Sequence, residues 1–231
     1  VHRLFSFVHL YVILIADIQK SVTPGPRQSA CNHRIFSFAR VFPKAGFSPE
    51  KTGIPARTRR LGKDGPVPMR LIVTSDTHRD FHSLRRLVEM HRASADIFIH
   101  LGDGAQELEQ AIALYPDCKW LSVRGNCDFG TSATLAGCFS CGPAKIFYTH
   151  GHMYSVKYGL DDLVAAAADI EANVVLFGHT HVPFVGYQRG MHLLNPGSLG
   201  LPRDGKSTYG VVDVTETDIV CFINELDNRR K

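Results

Sequence analysis

From Met69 onward, apolar residues arrive in runs of two different periods. Residues 70–74 (Arg-Leu-Ile-Val-Thr) make a short, near-continuous apolar run, as in a strand buried on both faces. Residues 82–91 follow with Leu84, Leu87, Val88 and His91 on one helical face. Residues 97–100 read as a second strand and 119–123 as a third, separated by a helix over 105–115 with Leu108, Ile112 and Tyr115 in phase. Strand, helix, strand, helix, strand predicts parallel strands joined by helical crossovers.

The second half is richer in strands. Residues 145–149 and 174–177 read as strands on either side of an Ala-rich helix at 160–172. Residues 182–188 and 191–195 predict a hairpin turned at Arg189-Gly190, and 208–214 with 219–226 a closing hairpin around Thr215-Glu216-Thr217. Alternation in these last strands predicts one buried and one solvated face. An α/β sandwich of two sheets accommodates both halves, and the chain contains no internal repeat.

The first 68 residues have another texture. Residues 4–16 are apolar but too few to span a bilayer, which takes about 20 residues. Scattered Pro, Gly, Ser and Arg follow with no sustained period. A secretory signal (Arg3 precedes the apolar run) and an Arg-rich transit peptide are both alternatives. The favoured expectation is that the natural protein starts at Met69. It makes 1–68 a basic extension, disordered or not native, and 69–231 the single folded domain.

Charge follows the same division. Residues 1–68 hold 11 Lys/Arg against 3 Asp/Glu, whereas 69–231 hold 15 against 19. The net charge of +4 therefore belongs to the extension and gives the catalytic part no basis for binding nucleic acid. No membrane partner is indicated, and a homo-oligomer is compatible with everything above. Of the 6 cysteines, only Cys138 and Cys141 have C-x-x-C spacing, without the second pair or nearby histidines of a structural zinc site. They are expected at a hairpin turn, and a reduced, cytoplasmic compartment is the expectation.

Candidate chemistry lies where the predicted strands end. Asp76-Thr77-His78 follows the first strand, Gly102-Asp103 the second and Gly125-Asn126-Cys127-Asp128 the third. His150-Gly151-His152 ends the strand at 145–149, and Gly178-His179-Thr180-His181 follows 174–177. Open α/β sheets gather ligand sites at such strand ends. A carboxylate can bridge two cations, which makes Asp103, in its tight Gly-Asp-Gly turn, the natural shared ligand. Imidazoles and the carboxamide oxygen of Asn126 complete an O/N donor set for two divalent ions, Mn²⁺ first, with Ni²⁺, Fe or Zn²⁺ as alternatives.

In this order the motifs resemble the calcineurin-like metallophosphoesterase superfamily, with its D-x-H, G-D, G-N-H-[DE], H and G-H-x-H signature. The small size and the Cys in Gly-Asn-Cys-Asp are most similar to its YfcE-like branch of small microbial phosphodiesterases. The resemblance spans essentially 69–226 and implies a metallophosphoesterase-type sandwich of two β-sheets flanked by helices. It implies one metal held by Asp76, His78, Asp103 and His181, and another by Asp103, Asn126, His150 and His179. It also implies a phosphoesterase attacking phosphorus with metal-activated hydroxide, a phosphodiesterase ahead of a phosphomonoesterase, with a small phosphate ester as substrate. The complete ligand set argues against a non-catalytic, protein-binding relative such as the retromer subunit, which remains the alternative.

Cys127 replaces the His that, with the following acidic residue, helps protonate the leaving group in much of the superfamily. Asp128 is the remaining acidic candidate there, and modest activity, best on activated esters, is expected. Asp103, Asn126, Asp128 and His152 are the catalytic candidates, His152 as a contact to substrate phosphate or an orienter of a metal ligand. His100 is expected to support the site without binding metal, and Asn195-Pro196-Gly197-Ser198 to abut it. Arg79, Arg124 and Arg203 are weaker phosphate-contact candidates, whereas His82, His91 and His192 have no ligand-like context.

Overall fold

The computed structural model describes residues 68–227. The basic extension up to residue 67, with Cys31, and the last four residues lie outside the described residues. Among the described residues, ten strands form two five-stranded mixed sheets. The first contains β1 (Met69–Thr74), β2 (Ile97–His100), β3 (Trp120–Ser122), β9 (Thr208–Val214) and β10 (Ile219–Glu225), in the order β10-β9-β1-β2-β3. The second contains β4 (Ala136–Cys141), β5 (Ala144–Thr149), β6 (Val174–Leu176), β7 (Pro183–Gln188) and β8 (Met191–Pro196), in the order β4-β5-β6-β8-β7.

Strand alternation explains the layers. Leu71 and Val73 of β1 face inward, joining Ile97 and Ile99 of β2 with Ile146, Val174, Leu176 and Leu194 of the other sheet. Ile72 and Phe98 point the other way, against Leu84, Leu87 and Val88 of α1 (Phe81–His91) and Ala111 of α2 (Ala105–Leu114). Phe147, Val175 and Leu193 likewise pack on Leu163, Val164 and Ala167 of α3 (Asp161–Asp169). Each sheet is thus covered on both faces, which is why its central strands read as continuous apolar runs. Burying each such Leu, Ile, Val or Phe contributes about 1.5–3 kcal/mol.

The parallel β1-β2-β3 set and the two predicted hairpins are present in register. Several expectations need correction. Ile112 is exposed, and the buried face of α2 runs through Leu108 and Ala111, with Tyr115 just beyond its end. The α3 helix is shorter than 160–172, ending at Asp169. Strand β9 is buried on nearly all positions of both faces, because Val212 and Val214 join the core between the sheets while Tyr209 and Val211 join the layer under α1. Cys138 and Cys141 lie within β4 and not in its turn, which falls at Gly142-Pro143. Three residues apart on a strand, the two thiols point to opposite faces and cannot share an ion. No helix among the described residues is long and apolar enough to cross a membrane.

Candidate metal centre

All five motif loops meet at one rim. Backbone hydrogen bonds join them directly: the Asp76 amide donates to Gly102 O (2.9 Å), the His78 amide to Asp103 O (3.1 Å) and the Gly178 amide to His150 O (3.0 Å). The approach is too close for side chains. A Cβ on Gly102, which sits at φ 96°, would meet the Gly125 backbone, and one on Gly125 would meet the Asp103 carboxylate. Five of the seven expected ligands (Asp76, His78, Asp103, His179 and His181) have positive φ. Left-handed backbone at a non-glycine residue costs of order 1–3 kcal/mol and persists where surrounding structure enforces it. Here it turns each chain sharply at the strand end and aims the side chain into the rim.

The tautomers follow from the partners. A carbonyl can only accept, so His150 Nδ1–H donates to Leu101 O (2.8 Å) and His181 Nδ1–H to Leu201 O (2.7 Å). In the neutral ring Nε2 is then the lone pair, and in both residues it faces the rim. His150 Nε2 lies 3.1 Å from His179 Nδ1, 3.2 Å from Asn126 Oδ1 and 3.5 Å from Asp103 Oδ2. His181 Nε2 lies 3.2 Å from His78 Nε2 and 3.1 Å from Asp76 Oδ1. Carboxylate oxygens and neutral imidazole lone pairs converging at this spacing repel unless a proton or a cation sits among them.

Asp76 supplies the test of fit. Its Oδ2 accepts from Ser75 Oγ (2.6 Å) and the His179 amide (3.1 Å), but its buried Oδ1 accepts from nothing. An orphaned, fully buried carboxylate oxygen costs free energy unless a cation satisfies it. The donor set of carboxylates, imidazoles and one amide oxygen fits divalent ions of intermediate hardness. Asp76, His78 and His181 form one convergent group, and Asp103, His150 and His179 another. Asp103 Oδ2 stands between them, 3.8 Å from His78 Nε2 and 3.5 Å from His150 Nε2.

Electrostatics point the same way. Burial opposes ionisation of Asp76, but the adjacent His181 and His78 rings outweigh it and hold the carboxyl well below the usual range. Burial also opposes ionisation of Asp103, but His150 and the Cys127 amide bring its pKa down to about 2. The carboxylates in turn raise His181, mainly through Asp76, and raise His150 despite its burial. His179 falls to about 4, through burial and then the charge on His150. The cluster holds negative charge firmly and draws positive charge in.

The remaining candidates separate. Asn126 is exposed but directs Oδ1 into the centre. His152 lies beside His150 and His179, at ring distances of 5.3 and 6.1 Å, with a buried Nδ1 that has no partner. Asp128 is committed to backbone: its Oδ2 accepts from the Asp103 (2.7 Å) and Gly125 (2.8 Å) amides, and its Oδ1 from those of Gly104 and Ala105 (both 2.9 Å). That arrangement fixes the Asp103 turn and the start of α2 and leaves no oxygen aimed at a leaving group. His100 is buried, with Nδ1 accepting from the Gly102 amide and Nε2 3.3 Å from Thr77 Oγ1.

Asn195 is buried, donating to Gly178 O and Thr180 Oγ1, while Ser198 Oγ donates to Asp76 O (2.7 Å). The 195–198 turn is thus tied to the first and last motifs. Arg124 and Arg203 are close enough to His152 and His181 to lower their proton affinity, and Lys157, which sequence patterning missed, does the same to His179. Arg79 is exposed. Ser75 was also missed; its only signal was its place between β1 and Asp76.

Residues 69–217 match the calcineurin-like phosphoesterase superfamily domain. The chain is 33% identical to a probable metallophosphoesterase, YsnB, of Bacillus subtilis, over 69% of this chain and 94% of that protein. It is 30% identical to the phosphodiesterase YfcE of Escherichia coli, over 67% of this chain and 92% of that one. Vacuolar protein sorting 29 from Cryptosporidium parvum superposes with a TM-score of 0.60 over 70% of this chain and 93% of its own, at 16% identity, a likeness of fold alone. The chain is therefore a member of the calcineurin-like phosphoesterase superfamily.

Proposed function

We propose that this chain is a dinuclear metal-dependent phosphoesterase, and a phosphodiesterase ahead of a phosphomonoesterase. The observation that carries the reading is Asp103 Oδ2, placed between His78 Nε2 and His150 Nε2 at 3.8 and 3.5 Å. Asp76, His78, Asp103 and His181 would hold one ion, and Asp103, Asn126, His150 and His179 the other, with Mn²⁺ the first choice. When bound, such a pair supplies Lewis acidity to phosphoryl oxygens and lowers the pKa of water at the site.

The protein's own groups do the rest. Leu101 O and Leu201 O lock the His150 and His181 rings in their donor orientation. Asp128 acts as a positioning residue, holding the Asp103 and Gly125 backbones together. The positive charges of Arg124, Lys157 and Arg203, each felt by one histidine of the rim, would attract an anionic ester. His152, whose ring lies beside those of His150 and His179, would contact a phosphoryl oxygen.

Neither Asp128, with both oxygens occupied, nor Cys127, whose thiol pKa burial and Asp103 push up to about 11, makes a good proton donor to a leaving group. Esters with acidic leaving groups are accordingly the better substrates, since general acid help is worth about 10²–10⁴-fold. The similarity to the phosphodiesterase YfcE supports the diester preference. A protein-interaction scaffold is the competing reading, and the complete donor set weighs against it. All of these groups lie among residues 69–231.

The test is hydrolysis of an aryl phosphodiester and the matching aryl monoester by the full chain, with each divalent metal restored after chelation. Faster turnover of the diester with Mn²⁺ is expected. Turnover of the monoester alone would reverse the substrate assignment, and none with any metal would remove the enzymatic one.

A further inference from the structure

Cys127 stands where it can do more than fill the position of a missing acid. Its sulfur, His78 and Asp103 each offer a ligand atom, and these atoms lie within 4.8 Å of one another. An ion with bonds of about 2.0 Å to nitrogen and about 2.3 Å to sulfur needs donors about 3.5 Å apart, so the trio has up to about 1.3 Å to close. Cys127 is exposed at the rim, so its side chain has room to close the difference. Its backbone is already fixed on the same carboxylate, the Cys127 amide donating to Asp103 Oδ1 at 2.7 Å. The Asn126 Nδ2 amide donates to the sulfur at 3.2 Å, which holds the side chain at the rim. Next to this trio, the buried Asp76 Oδ1 lacks any donor and lies 3.6 Å from His78 Nε2.

We infer that Cys127, with His78 and Asp103, forms an alternative site for a soft divalent cation such as Cd²⁺ or Zn²⁺, and that filling it inhibits the enzyme. The inference rests on the dinuclear reading, because His78 and Asp103 serve in both sites. As the sulfur–cation bond forms, the thiol proton leaves to solvent. Thiolates select soft cations, whereas the O/N set without sulfur suits Mn²⁺. A cation held by Cys127 takes His78 and the shared oxygen of Asp103 away from the productive pair. The protein would then be active with hard cations and shut down by thiophilic ones.

Co²⁺ and Cd²⁺ titrations of the chelator-stripped full chain test this. Co²⁺ gives d–d absorption from any bound ion and a near-ultraviolet charge-transfer band only where a thiolate binds. The expected result is a charge-transfer band equal to one thiolate per chain, lost in Cys127→Ser while d–d absorption stays. Loss of an outer partner alone weakens metal affinity about 10–100-fold, so the Cd²⁺ needed to halve Mn²⁺-supported activity should rise about tenfold or more in Cys127→Ser. Protection of Cys127 from alkylation by Cd²⁺, read by peptide mass spectrometry on the unmutated chain, gives the same answer without a variant. Bound Co²⁺ with no charge-transfer band, or a band that survives Cys127→Ser, would overturn the inference and leave the dinuclear reading standing. No bound Co²⁺ at all would overturn both.

Discussion

Asp128 accepts the backbone amide of Asp103 at 2.7 Å, so one buried carboxylate holds the other in place. Four amides converge on Asp128 altogether, two on each oxygen. They include the first turn of α2, where a negative charge also meets the positive end of the helix dipole. Asp128→Asn replaces one acceptor oxygen with a donor that faces two N–H groups. The variant should lose about 2–4 kcal/mol of stability, since each unsatisfied buried amide costs about 1–3 kcal/mol. Urea unfolding measures this, and calorimetric titration with Mn²⁺ should show weaker binding as the Asp103 turn loosens.

Gly125→Ala probes the same junction from the other side. The added methyl would overlap the Asp103 carboxylate and lie 2.6 Å from the Asp103 amide nitrogen, atoms with little freedom to withdraw. A loss of about 1–3 kcal/mol in thermal or denaturant unfolding is expected, as for overpacking elsewhere. Metal affinity should fall with it.

Acid should destabilise the protein through His100. Burial lowers its pKa from 6.5 to about 4, so the folded state keeps the ring neutral where the unfolded chain already takes up a proton. The unfolded state therefore binds more protons between pH 6.5 and about 4, and stability falls as pH drops through that window. The loss approaches about 3 kcal/mol at its lower end. Wild type and His100→Gln compared by urea unfolding across that range should differ in slope, the variant being the less acid-sensitive.

Much of this architecture was legible because both sheets are covered on both faces. Runs such as Leu71-Ile72-Val73 announce central strands, and motifs at their ends announce the rim. Four features were hidden. The commitment of Asp128 to four amides depends on how closely the Gly102 and Gly125 loops approach, which no local pattern records. Lys157, in the loop before α3, lowers the proton affinity of His179 through its charge, without a motif of its own. Cys138 and Cys141 resembled a turn pair because spacing does not reveal that β4 continues to Cys141. The exposed Ile112 was misplaced because a helix's buried face depends on the neighbours it meets, and Ala111 faces that contact.

Ser198 offers a milder perturbation of the same centre. Its hydroxyl donates to Asp76 O at 2.7 Å and accepts the Leu201 amide at 2.8 Å, which links the anchors of Asp76 and His181. Ser198→Ala should lower stability by about 1–3 kcal/mol, the cost of leaving a buried partner unsatisfied. Mn²⁺ affinity, followed by calorimetry, should fall while the number of ions bound stays the same.

The central claim is that Asp103 shares its carboxylate between two cations. Elemental analysis of the full chain after Mn²⁺ loading and gel filtration, with Asp103→Asn alongside, tests it most directly. Two ions per wild-type chain, with fewer in the variant and aryl phosphodiester hydrolysis lost in parallel, is the predicted result. An unchanged ion count and unchanged hydrolysis in Asp103→Asn would contradict it.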